Sequence, residues 1–120
     1  KLDGREGGAV KAVSIAVSAQ HISQGQIMRA RGCPIALAVT ERLEKGYLVE
    51  IYSGAAHFIK VGAVPWRGKS IGWTKLPGSA CLAYMVFDTG AGMYPQEFTL
   101  QIPEKLQELF SDGENEDNES

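Results

Sequence analysis

Two runs rich in β-branched and aromatic residues, "YLVEIYS" at 47–53 and "HFIKVG" at 57–62, stand three residues apart, joined by "GAA". That spacing constrains the fold more than any other feature of the chain. Runs of this composition read as strands, and so short a link is hairpin spacing, which makes the pair antiparallel. A doubly wound sheet needs a helix between successive strands, and there is no room for one here.

The remaining segments fall around this hairpin. "AVKAVSIAV" alternates Val13, Ile15 and Val17 with small or polar neighbours, the period of a half-buried strand. Ser18 can cap a short helix through Gln24, with Gly25 placed to end it. After the loop "QIMRARG", Pro34 takes the first position of a helix, where its missing N–H costs nothing, and Gly46 follows the last periodic residue as a C-terminal glycine. Ile35, Leu37, Ala38, Val39 and Leu43 supply its apolar faces, while Glu41, Arg42, Glu44 and Lys45 belong mostly to solvent.

Beyond the hairpin, "VPWRGKSIGWTKLP" reads as a long turn around Pro65 and Gly68 and then a short strand over 70–75. Leu76 and Pro77 open a second helix in which Leu82, Met85 and Val86 or Phe87 fall at helical spacing, and residues 88–92 break it. Phe98, Leu100 and Ile102 alternate as a further strand, and Pro103 starts a last short helix ending near Phe110. The order β, α, α, β, β, β, α, β, α predicts an α+β domain: a small mixed or antiparallel sheet of about four to five strands, with two to four helices packed mainly on one face.

At 120 residues one domain is expected, over residues 9–110, preceded by a flexible segment 1–8 and followed by a disordered acidic tail 111–120. No run approaches the roughly 18 to 20 apolar residues of a membrane span, and "KLDGREGG" lacks the apolar stretch of a secretory signal, so a cytoplasmic setting is expected. The net charge of −2 conceals an asymmetry. Five of the 14 acidic residues lie in "DGENEDNES", which leaves 9 against 12 basic ones and a body of about +3. The tail serves solubility or, alternatively, mimics nucleic acid and shields the basic body.

Three stretches, "VSIAVSAQHISQG", "CPIALAVTERL" and "KLPGSACLAYMVFDTGAGMYPQEFTLQIP", together resemble a group of small bacteriophage and prophage proteins of unknown function. The matching positions are His21, Ile22, Gly25, Cys33, Pro34, Ala36, Leu37, Ala38, Leu76, Pro77, Phe87, Asp88, Gly90, Pro95 and Phe98. The resemblance implies a mobile genetic element in a bacterial host cell and carries no activity with it. Where some members place a second cysteine before Cys-Pro, this chain has Arg29, Ala30, Arg31 and Gly32.

Several constellations could carry chemistry. Arg29 and Arg31 stand just before a helix N-terminus, where amide N–H groups and the helix dipole favour a phosphate. Cys33 at that terminus, with His21 as base, would form a nucleophile pair in an electropositive setting. "WRGKSIGWTK" interleaves Trp66 and Trp73 with Arg67, Lys69 and Lys75, aromatic faces for bases and cations for phosphates. Each has a plainer reading: a well-capped helix, a packed thiol and a solubilised hairpin. His21, Cys33, His57 and Cys81 are singly placed, without the paired spacing of a zinc site, and no metal or other cofactor is called for. An uncovered edge of the hairpin over 47–62 would invite a homo-oligomer.

The expected function is a small non-enzymatic phage-derived binding protein acting on a host or defence protein, or sequestering a nucleotide or other small phosphorylated molecule. The alternatives are a small Cys/His enzyme using His21 and Cys33 on a phosphorylated substrate, and a nucleic-acid binder or mimic.

Overall fold

The computed structural model describes residues 10–62 and 68–111. The N-terminal segment over residues 1–8, the acidic tail beyond Ser111, and Trp66 and Arg67 therefore lie outside the described residues. Strand β1 (Lys11–Val17) leads through α1 (Ala19–Gln24) and α2 (Pro34–Glu41) to β2 (Tyr47–Tyr52), β3 (Ala55–Val61) and β4 (Gly68–Lys75). Helix α3 (Gly78–Asp88), β5 (Gln96–Ile102) and the single turn α4 (Glu104–Gln107) complete an α+β fold.

Among the described residues all strand pairing is antiparallel, and the five strands are divided between two sheets. β1 pairs with β5 from Lys11 opposite Ile102 to Val17 opposite Gln96, while β2, β3 and β4 form a three-stranded sheet in chain order. Instead of a shared ladder, a side chain ties β4 to β5: buried Thr74 donates its Oγ1 hydrogen to the Gln101 carbonyl at 2.6 Å. Val13 stands opposite Leu100 and Ile15 opposite Phe98 in the two-stranded sheet, with Val17 and Ile102 buried as well, and Val49 opposite Phe58 and Ile51 opposite Ala56 form the inward set of the three-stranded one. α2 lies against both, so one core is shared.

Local chemistry accounts for the ends of the elements. Ser18 accepts from the His21 amide while the His21 ring accepts from the Ser18 amide, a capping box with histidine in the place usually held by Glu or Gln. Gly25 does follow α1, but at φ −70° it is no left-handed cap. Its reason is space, because a Cβ there would lie 2.6 Å from Pro34 Cγ.

Two expected boundaries move. α2 ends at Glu41 and not beside Gly46, because the backbone after Arg42 turns to the C-terminal segment: Glu44 N–H bonds the Leu109 carbonyl, Leu43 pairs with Phe110, and the Arg42 carbonyl accepts from Ser111. The hairpin turn is Ser53-Gly54 rather than "GAA". Both residues have positive φ, 51° and 73°, the geometry whose twist matches flanking strands, and this frees Ala55 and Ala56 to join β3.

The largest difference concerns α3. Helical spacing correctly marks a helix, but of its apolar residues only Ala80 and Phe87 are buried, while Leu82, Met85 and Val86 are 63%, 55% and 40% exposed. No helix among the described residues is long and apolar enough to cross a membrane.

Candidate functional site

The loop between α1 and α2 carries the first group of expected site residues. It folds on itself through hydrogen bonds from Gln26 N–H to the Gly32 carbonyl and from Cys33 N–H to the Arg29 carbonyl. Met28, at φ 60°, is held by its amide donating to Asp88 Oδ1 of α3 at 2.9 Å. Cys33 is the N-cap of α2, and its Sγ accepts from the Ala36 amide at 3.4 Å. Burial pushes this thiol above its usual pKa. The Ala36 and Ile35 amides pull it back, and the charge of Asp88 pushes it further up. Cys33 and Pro34 are buried and Gly25 packs against the proline ring, while a cavity of about 190 Å³ beside Cys33 is lined by Arg29, Tyr52, Tyr84 and Asp88 among others.

The arginines divide. Arg31 is half-buried and its Nε donates to Glu50 of β2 at 2.7 Å, whereas Arg29 is exposed. Both line a cleft of about 400 Å³ with Gln24, Gln26 and Leu37. His21 faces elsewhere: since Nδ1 accepts from the Ser18 amide, Nε2 carries the hydrogen and donates to Glu41 Oε1 at 2.6 Å. Both ring nitrogens are thus committed, and neither is paired with the Cys33 sulfur. Among the described residues, no three His, Cys, Asp or Glu side chains converge as metal ligands.

Of the second group, Trp73 lies on the outer face of the β2–β3–β4 sheet. Trp73 is 60% exposed and sits directly opposite His57, which stacks on Tyr52 with ring centroids 3.8 Å apart and planes 6° from parallel. The His57 and Trp73 rings are 6.4 Å apart and tilted by 31°. Three aromatic rings from three strands thus form a row that sequence spacing alone could not assemble, because Tyr52 and His57 carry no motif. Lys69 is also exposed on β4, but it stands opposite Lys60 beyond the bulge at Phe58/Ile59 and so on the other face of the sheet from Trp73; the structure does not bring the two together.

A third surface went unrecognised as a site in the sequence. The exposed side of α3 and residues 89–96 enclose a groove of about 550 Å³, lined by Leu82, Ala83, Val86, Met93 and Tyr94 among others. Tyr94 is 86% exposed. From Leu76 to Gln96 the only charged residue is Asp88, which is engaged with the Met28 amide. A signal was available: a surface helix normally puts charges on its outer face, and "GSACLAYMVF" has none to put there.

No protein-family model, no curated protein and no solved structure matches this chain.

Proposed function

We propose that this protein is a small non-enzymatic binding protein whose α3 face docks a protein partner. In the phage or prophage setting that its resemblance implies, the partner is a host or defence component of the bacterial cytoplasm. One observation carries the reading: Leu82, Met85, Val86 and Tyr94 stand exposed together on a surface without charge. Contiguous apolar surface of this kind on a small domain marks an interaction site, because leaving it in water forgoes about 25 cal/mol for each Å² that a partner could cover. An uncharged face selects a partner by shape and apolar contact. Binding should therefore persist at high ionic strength, unlike an interface built on charge pairs.

The nucleotide-sequestering form of the reading finds little support at the mouth of α2, where Cys33 already accepts the Ala36 amide. Arg29 beside the 400 Å³ cleft is what remains for it there.

The test is affinity capture from bacterial host lysate, followed by reconstitution with the purified partner, using the wild-type chain and the Leu82→Glu/Val86→Glu variant. The wild type should bind in a fixed ratio and the variant should not, at equal melting temperature. Retained binding by the variant would overturn the reading. So would a wild-type homodimer that the variant splits, since the face would then be spent on a second copy.

A further inference from the structure

We infer that the cavity of about 190 Å³ beside Cys33 is a binding site for a free α-amino acid in its zwitterionic form, separate from the docking face of α3. The floor of this cavity is apolar and dry, since Cys33 and Ile51 are 2% and 3% exposed. Above that floor stand three polar groups from three parts of the chain: the carboxylate of Asp88, the guanidinium of Arg29 and the phenol of Tyr84.

Asp88 lacks a counter-charge. It is half-buried, and its Oδ1 accepts the Met28 amide at 2.9 Å, but no cation among the described residues pairs with it. It is also the last residue of α3, where the helix dipole is negative and no basic side chain in the final turn offsets it. Its charge reaches the cavity floor, where it helps to keep the Cys33 thiol neutral. Met28 meets this carboxylate only by adopting φ 60°, a backbone region that side chains other than glycine disfavour. A carboxylate so placed, at the wrong end of a helix and facing a cavity, is relieved by a cation in that cavity.

Arg29 decides what kind of cation. It lines the same cavity, is exposed, and forms no ion pair with Asp88 or with any other described residue. A simple ammonium would be repelled by Arg29 and a simple carboxylate by Asp88. Two opposite charges that share a cavity without meeting complement a ligand that carries both, its ammonium toward Asp88 and its carboxylate toward Arg29. Tyr84 adds a donor for that carboxylate, because its Oη accepts the Gly54 amide at 3.0 Å and keeps its own hydrogen to give. Size narrows the class further. At about 30 Å³ for each water of the liquid, the cavity holds about six waters, whereas pockets for drug-sized ligands start at about 300 Å³. A nucleotide is therefore too large, and an α-amino acid with an apolar side chain of a few carbons fits over the Cys33 and Ile51 floor.

The experiment is isothermal titration calorimetry on the full chain with L-alanine, L-valine and L-leucine, and with the 2-hydroxy acid and the amide of each. The hydroxy acid replaces the ammonium by a neutral hydroxyl, and the amide, with its amine protonated, replaces the carboxylate by a neutral group. At least one of the amino acids should bind one-to-one, and each of its two analogues about 10- to 150-fold more weakly, the range for loss of one hydrogen bond to a charged partner. Asp88→Asn keeps an oxygen for the Met28 amide; it should weaken the amino acid by a similar factor and leave the hydroxy acid nearly unchanged. Arg29→Gln should weaken the amino acid and leave the amide nearly unchanged, a crossed pattern that a purely structural role for either residue would not produce. Leu82→Glu/Val86→Glu should bind the amino acid as the wild type does, which separates this site from the α3 face. The inference is overturned if none of the three amino acids binds more tightly than about 1 mM, if either analogue binds as tightly as its amino acid, or if Asp88→Asn and Arg29→Gln bind all the ligands like the wild type. Loss of amino-acid binding by Leu82→Glu/Val86→Glu at an unchanged melting temperature would overturn it as well.

Discussion

α2 and α3 are both entered through a proline and both consist mainly of apolar residues, yet α2 buries five of its eight residues and α3 only two of its eleven. The difference lies in what surrounds them. α2 is wedged against β1 and β2, with α1 and the C-terminal segment closing its ends, so that Ile35, Ala36 and Val39 have no exposure at all. α3 is anchored by Ala80 and Phe87, by Tyr84 Oη accepting the Gly54 amide, and by Asp88 accepting the Met28 amide. Its outer side touches nothing among the described residues that would cover Leu82 or Met85. Helical periodicity thus locates an apolar stripe without saying whether it meets the core or a partner.

The largest effect that separates the helices should come from truncation. Ile35→Ala removes packed volume from the core and should cost about 2 to 5 kcal/mol in urea unfolding, whereas Leu82→Ala should stay within about 0.5 kcal/mol. Similar costs for both would break the comparison. The anchoring of α3 comes next. Asp88→Ala leaves the amide of a left-handed Met28 without its acceptor and should cost about 1 to 1.5 kcal/mol, with hydrogen exchange at Met28 accelerated if the bond is the one that holds the loop.

A cap tests the α1–α2 side. Ser18→Ala should cost about 1 kcal/mol through loss of the acceptor for the His21 amide, while the amide of residue 18 still donates to the ring and keeps Nε2 as the protonated nitrogen, read by NMR. A switch of tautomer in this variant would show that the backbone amide does not hold the ring. The smallest effect concerns Cys33. Its folded pKa is raised, so its contribution to stability is full below the unfolded pKa and is lost as pH rises toward the folded value. Wild-type stability should therefore fall more between about pH 8 and 10 than that of Cys33→Ala, and native Cys33 should react slowly with thiol reagents. Fast labelling of Cys33 would reopen the mouth of α2 as a reactive site.

Much of the fold was legible because its signals are local. Alternation at Val13, Ile15 and Val17, the Ser18 cap, and Pro34 at a helix start each depend on neighbours a few residues away, and the order of the nine elements among the described residues follows from signals of this kind. What was not legible depends on distant partners. The end of α2 is set by Leu109, Phe110 and Ser111, some 70 residues downstream in sequence. The partnering of Arg31 with Glu50 and of His21 with Glu41 is likewise tertiary. Trp73 was a candidate from its own spacing with lysines, but Tyr52 and His57 join it only through strand register. The chargeless stretch from Leu76 to Phe87 was on view throughout. Its meaning depended on knowing that the helix packs by Ala80 and Phe87.

The docking role of α3 is tested most directly by photocrosslinking in bacterial host cells, with the reactive group at position 82 and, as control, at exposed Thr99 on β5. The account predicts one discrete heterologous adduct from position 82, absent from position 99 and lost when Val86→Glu is added. No adduct from position 82, the same adducts from both positions, or a product of twice the chain's own mass would contradict it.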